Sequence, residues 1–152
     1  MVTKTKSSNL LLEEFLPYRL SYLTNKISQA LSQLYTDKFG IGHAQWRVMA
    51  VLGRFSGLSA AVVAEKTAMD KVAVSRAINS LIKNELLLRT FADDDKRRSE
   101  LSLSKKGRDT YDKIVPMVQD YERDLLETLS QSEQDNLDKI LRRLTSYVDK
   151  DQ

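Results

Sequence analysis

Arg76, Lys83, Arg97 and Arg98 are the side chains here best placed to do chemistry, because they lie in a segment far more basic than the rest of the chain. Residues 71–108 hold ten basic side chains against five acidic ones, a balance of +5, whereas residues 109–152 hold six against eleven, or −5. Residues 1–70 contribute +3, so the small net charge of +3 hides a segregation. Dense Lys and Arg suit phosphate, and a guanidinium also forms a two-pronged hydrogen bond with guanine O6 and N7. That is recognition chemistry.

Bond-making chemistry has little to build on. The chain has no Cys, which excludes a thiol nucleophile, a disulfide framework, a zinc finger and a thiol redox switch. His43 is its one imidazole, so an HExxH zinc site is impossible and any serine triad would depend on that ring. The five Gly, at 40, 42, 53, 57 and 107, fit neither GxGxxG nor GxxxxGK[ST]. The sequence therefore reads as a binding protein, with no enzyme activity, no metal and no cofactor.

The elements that must position the basic groups follow from periodicity and breakers. At 152 residues, with 41% hydrophobic and 30% charged side chains, the chain is expected to form one globular domain, residues 1–152. Pro occurs only at 17 and 116, which favours long helices. Residues 10–38 carry Leu16, Leu20, Leu23, Ile27, Leu31 and Leu34 at helical spacing, and Phe39-Gly40-Ile41-Gly42 stops that stripe. A second helix is predicted over 43–55, with Trp46, Met49, Ala50 and Val51 offered to a core. Ser59 and Asp70 are N-caps for two short helices, from Ala60 to about Thr67 and from Lys71 to about Asn84. Two short helices across a tight turn near Ala68-Met69 have the shape of a helix-turn-helix.

The period then changes. Leu86–Phe91 and the alternating Ser99–Ser104 read as two strands around a charged tip, Ala92 to Arg98, which makes a hairpin wing. Ser104 caps a long helix carrying Tyr111, Ile114, Val115, Val118, Tyr121, Leu125 and Leu129, with a kink expected at Pro116. Ser132 to Asp135 resembles a capping box, opening a last helix that presents Leu137, Ile140, Leu141, Leu144 and Val148. The fold class is mainly α with a small β-wing: a winged helix-turn-helix over 43–107, flanked by terminal helices over 10–38 and 108–150. No apolar run reaches the length of a signal-peptide core or a membrane span, so a cytoplasmic protein is expected.

A helical wheel of residues 71–84 puts Val74, Ile78, Leu81 and Ile82 on the buried side. The opposite face carries Val72, Ala73, Arg76, Asn79, Ser80 and Lys83. Val72 and Ala73 keep the N-terminal end slim enough to approach base edges and thymine methyls, and Arg76 suits guanine. Ser80 and Lys83 suit phosphate, as do Lys71 and Ser75 on the flank. Lys96, Arg97 and Arg98 at the wing tip can reach a narrow minor groove, with Asp95 near enough to orient Arg97.

The segments WRVMAVL (46–52), LSAAVVAEKTAMDKVAVSRAINSLIKNELLLR (58–89) and DDDKRRSELSLSKKG (93–107) resemble the MarR (multiple antibiotic resistance regulator) family of bacterial winged-helix transcription factors. Ser104 stands where Thr is more common, and Glu85 where Gly is frequent. The resemblance implies a homodimer in which the first and last helices of both chains interlock. The long apolar stripes at both ends of the chain support a dimer independently, since a small winged domain has little to bury them against. The dimerisation residues are Leu16, Leu20, Leu23, Ile27, Val118, Leu125, Leu129, Leu137, Ile140 and Leu144. A two-fold dimer presents two recognition helices, hence a pseudo-palindromic double-stranded DNA operator.

The resemblance also implies release by a small, aromatic or anionic ligand held between the dimerisation helices and the winged segment. The matching residues are Tyr18, Arg19, Tyr22, His43, Trp46 and Arg47, with an Arg to pair a carboxylate and Trp46 to stack on a ring. The function read from the sequence is thus a ligand-responsive, DNA-binding transcriptional repressor. The alternative is a winged-helix protein-interaction module without specific DNA binding, disfavoured because α-helical residues 71–84 offer basic groups instead of Tyr, Trp or Leu anchors.

Overall fold

The computed structural model describes residues 9–91, 93–94 and 98–150. Six helices and one two-stranded sheet follow in the order α1 (Leu16–Phe39), α2 (His43–Arg54), α3 (Ala60–Thr67), α4 (Lys71–Lys83), β1 (Leu87–Phe91), β2 (Ser99–Leu103), α5 (Lys105–Leu126) and α6 (Gln131–Lys150). The chain divides into two compact units, Met1–Tyr111 and Asp112–Gln152, with the boundary inside α5. Among the described residues no helix is long and apolar enough to cross a membrane.

The first helix starts where its apolar stripe does, at Leu16, and so later than residue 10, where the expected segment 10–38 opens. Leu10 to Leu12 lie outside it, and it begins at Leu16 with Pro17 in the first turn. Pro has no N–H to contribute to the helical ladder and costs least in the first turn, which favours a start just before residue 17. The helix closes at Gly40, whose N–H reaches Thr36 O at 2.8 Å.

Helices α2, α3 and α4 pack on one another around Val48, Met49, Leu52, Val63, Val74, Ile78 and Leu81, all with at most 1% exposure. In α2 the buried positions are Trp46, Val48, Met49 and Leu52, so Val48 and Leu52 take the places expected for Ala50 and Val51. In α4, Ala77 is buried in the place expected for Ile82, which is only half-buried. The two short helices begin where their caps predict. Ser59 Oγ accepts the Val62 N–H at 3.3 Å, and Asp70 Oδ1 accepts the Val72 and Ala73 N–H groups at 2.9 and 3.1 Å.

The wing strands pair antiparallel with Leu87 opposite Leu103, Arg89 opposite Leu101 and Phe91 opposite Ser99. A feature not anticipated from the sequence anchors them: Leu58, in the α2–α3 connection, exchanges hydrogen bonds with fully buried Leu101, its O accepting at 2.8 Å and its N donating at 3.3 Å. The base of the wing is locked at Ser104. Its Oγ donates to Glu85 O at 2.6 Å and accepts the Gly107 N–H at 2.9 Å, capping α5 and holding the α4–β1 turn at once. A Cβ at Gly107 would collide with the Leu86 carbonyl oxygen, so the helix start and the strand start can sit this close only with Gly there. Glu85, in the turn between α4 and β1, takes φ 61°, a left-handed conformation held by a residue with a Cβ.

In the second unit α5 runs through Pro116 as one continuous helix to Leu126. The last helix opens two residues earlier than the expected Ser132–Asp135 box. Ser130 N donates to Glu133 Oε2 at 2.8 Å and Glu133 N to Ser130 Oγ at 3.3 Å, a reciprocal capping box. Glu has the reach to return to the cap N–H, which Asp135 lacks. Gln134 Nε2 donates to Leu126 O and Leu129 O, tying the end of α5 and the turn after it to α6. No residue of α6 is buried, and its apolar stripe of Leu137, Ile140, Leu141, Leu144 and Val148 stands exposed.

Candidate nucleic-acid interface

Burial of Val74, Ala77, Ile78 and Leu81 fixes the rotation of α4, which leaves a second face outward. Lys71, Val72, Ser75, Arg76, Asn79 and Lys83 are exposed on it, and Ala73 and Ser80 are half-buried at its edge. Val72 is 56% exposed, an apolar side chain near the N-terminal end of the helix. The Asp70 carboxylate holds that end through two backbone N–H groups.

Among the described residues the cations of this face enter no ion pair. Five ion pairs occur among the described residues, and none uses Lys71, Arg76, Lys83, Arg89 or Arg98. Lys106, by contrast, is held at the foot of the helix, donating to Asn84 O at 3.0 Å and lying 3.9 Å from Glu85. At the wing, Arg98 joins Ser99, Glu100 and the start of α3 (Ser59 to Val62) around a shallow recess. Lys96, Arg97 and Asp95 lie outside the described residues.

Ser80 differs from the other predicted contacts. Its Oγ accepts from Gln45 Nε2 at 2.6 Å, so its hydroxyl is partly engaged with α2. Gln45 itself was not among the sequence candidates. The signal was its position three residues after Gly42, where its Oε1 takes the Gly42 N–H at 2.6 Å as the reciprocal half of a capping box.

The six residues expected to hold a ligand do not converge within the chain. Tyr18, Arg19 and Tyr22 line an open groove on the N-terminal half of α1 with Glu13, Leu16, Leu20 and Leu23. Arg47 lies farther along, its Nη2 3.4 Å from Ser28 Oγ, and six residues of helix put Ser28 about 9 Å beyond Tyr22. Trp46 is 9% exposed and lies between the Tyr35 and Tyr111 rings, each 5.7 Å away centre to centre, so its faces are occupied by core contacts. The Arg47 guanidinium acts on two neighbours. Burial pushes the Tyr35 hydroxyl pKa up while Arg47 opposes it, and burial with Arg47 holds the His43 imidazole below its ordinary 6.5. Among the described residues no three His, Cys, Asp or Glu side chains could hold a metal ion.

Residues 39–98, from the end of α1 to the residue before β2, match the model of the MarR family. A MarR/EmrR family transcriptional regulator from Acinetobacter sp. ADP1 superposes with a TM-score of 0.85 at 29% identity, covering 93% of this chain and 99% of that one. The Staphylococcus aureus MepR–DNA complex superposes with a TM-score of 0.80 at 20% identity, covering 88% and 98%. An uncharacterized HTH-type transcriptional regulator of Staphylococcus aureus is 24% identical over 89 residues, 59% of this chain, and the match spans 61% of that protein's length. The HTH-type transcriptional regulator PrsX of Escherichia coli is 22% identical over 148 residues, covering 96% and 89%. The winged segment is a MarR-family segment, and the fold around it is the winged-helix fold of MarR regulators.

Proposed function

We propose that this chain, whose winged segment matches the MarR family, is a dimeric, sequence-specific DNA-binding transcriptional regulator, and that it represses by occupying a pseudo-palindromic operator in the cytoplasm of a bacterial cell. The observation that carries the reading is the outer face of α4: exposed, basic, slim at its N-terminal end, and free of internal ion pairs among the described residues. Arg76 is assigned to a guanine, Val72 and Ala73 to base edges and thymine methyls, and Asn79 to an adenine or a phosphate. Lys71, Ser75, Ser80 and Lys83 are assigned to phosphates, and Lys96 to Arg98 to the flanking minor groove. The superposition on MepR, which is bound to DNA in its own structure, supports this use of the fold. The terminal helices and the winged segment serve it as one functional domain.

Selection of binding sites from random duplexes tests the reading. Arg76→Ala should weaken the selected site by about 1–3 kcal/mol and relax a single base position, while Arg98→Ala should weaken all sequences alike. Affinity should also fall steeply with salt, as phosphate neutralisation requires. A wild-type chain with no duplex preference and a flat salt dependence would point instead to a protein partner.

Release by a small aromatic carboxylate is the proposed signal. Arg47 supports it, a half-buried guanidinium without a carboxylate partner among the described residues, next to Ser28, Tyr35 and His43. Calorimetry with a panel of aromatic acids checks the assignment. Binding that lowers operator affinity and vanishes in Arg47→Gln is the expected result.

A further inference from the structure

One side chain joins the α1–α2 elbow to the DNA-facing helix. Gln45 Oε1 accepts the Gly42 N–H at 2.6 Å, and Gln45 Nε2 donates to Ser80 Oγ at 2.6 Å. A backbone N–H only donates, so the amide oxygen must face Gly42 and the NH2 must face Ser80. That orientation has a consequence for Ser80. Its Oγ is occupied as an acceptor, and its one proton has no acceptor among the described residues. A hydroxyl in that condition is a donor waiting for a partner, and phosphate oxygens only accept.

The position of Ser80 gives the donor a direction. It lies one turn beyond Arg76 and about 40° around the helix from it, at the edge of the exposed face. It is half-buried, so its side chain is held against α2 without being closed off from the outside. We infer that Gln45 is a positioning residue for DNA binding: its carboxamide commits the Ser80 hydroxyl to donate to a phosphate oxygen, and ties that donor to the elbow between α1 and α2. The inference rests on the DNA-binding reading above. It also gives movement of α1 a route to the interface. If the elbow at Gly40 to Gly42 moves, the Gly42 N–H leaves Oε1, the amide is free to turn over, and an oxygen facing Ser80 would draw the hydroxyl proton inward.

The test is a double-mutant cycle read by anisotropy on the duplex selected for the wild-type chain, with thermal unfolding measured in parallel. Ser80→Ala and Gln45→Met should each weaken binding about fivefold, the worth of one modest hydrogen bond. The double variant should be no weaker than Ser80→Ala alone, because Gln45 acts only through that hydroxyl. Ser80→Thr should retain binding. Gln45→Glu keeps the acceptor for Gly42 but cannot donate, so its loss should disappear in the Ser80→Ala background; this variant serves if Gln45→Met fails to fold. Arg76→Ala should multiply with Gln45→Met as an independent loss. Neutral Ser80→Ala, or losses at 45 and 80 that multiply, would overturn the inference while leaving the DNA reading intact. Absence of any duplex preference in the wild-type chain would sink both.

Discussion

Ala68 turns the chain between α3 and α4 at φ 51°, a left-handed conformation that costs a residue with a Cβ about 1–2 kcal/mol. Gly would relieve that strain, although it would also raise the entropy of the unfolded chain by a smaller amount. Ala68→Gly is therefore expected to stabilise the protein by roughly 1 kcal/mol, seen as a rise in Tm of about 2–4 °C. No gain would mean that the turn is held by its surroundings at no local cost. His43 gives a second prediction at this scale, because it is the only histidine in the chain. Burial first, and then Arg47, hold its pKa in the folded protein below the ordinary 6.5. The unfolded chain thus takes up the proton first on acidification. The stability from neutral His43 is fully present above the ordinary value and is lost as pH falls through it toward the folded pKa. Between about pH 7.5 and 5.5, above most carboxylate titration, Tm should fall in the wild type and stay flatter in His43→Gln. Equal slopes in both would put the imidazole in a solvent-like setting.

At the scale of elements, caps decide where the two short helices begin. Asp70 alone supplies acceptors for two N–H groups at the start of α4, so Asp70→Ala should cost about 1 kcal/mol in a urea denaturation with unchanged m value. Asp70→Ser should recover most of it, and a neutral Asp70→Ala would show that packing, not the cap, fixes the start. Cap signals are local, which is why α3 and α4 were legible in the sequence to within a residue and why the hairpin after them was too. Other features are not local. The Leu58–Leu101 exchange joins residues far apart in the chain, and nothing in the turn chemistry of residues 56–59 announces it. Two signals were present and misweighed: Pro17, which favours a start of α1 just before it, and Ser130 with Glu133, a better capping box than Ser132 with Asp135. The exposed face of α4 follows directly from its periodicity, yet the engagement of Ser80 depends on a side chain 35 residues away. Sequence proximity within α1 and α2 says nothing about which turns of the two helices meet, which is why Tyr18, Arg19 and Tyr22 lie on a different stretch of α1 from the Ser28 that Arg47 touches.

For the whole molecule, the apolar surface is the feature a single chain leaves unexplained. In the first unit Leu16, Leu20 and Leu23 are 47%, 40% and 53% exposed along one side of α1. In the second, Ile140, Leu144 and Val148 are 52%, 36% and 54% exposed along α6. Contiguous stripes of this kind mark interaction surfaces in soluble proteins, and a self-complementary pairing about a two-fold axis covers the same stripe on both copies at once. A buried carboxylate in such an interface goes without a partner and costs several kcal/mol per copy, counted twice by symmetry. Leu20→Glu and Ile140→Glu should therefore each shift sedimentation from dimer toward monomer at micromolar concentration. The effect on DNA should be larger than on either half-site alone. A dimer holds its second recognition helix near the second half-site at a high effective concentration, and a monomer forfeits that gain, about 10²–10⁴ in affinity for the full operator. On a duplex carrying a single half-site the same variants should bind almost as the wild type does, because the outer face of α4 is untouched. Equal losses on both duplexes would show that the substitutions damaged the winged segment itself, and an unchanged sedimentation coefficient would remove these stripes from the interface.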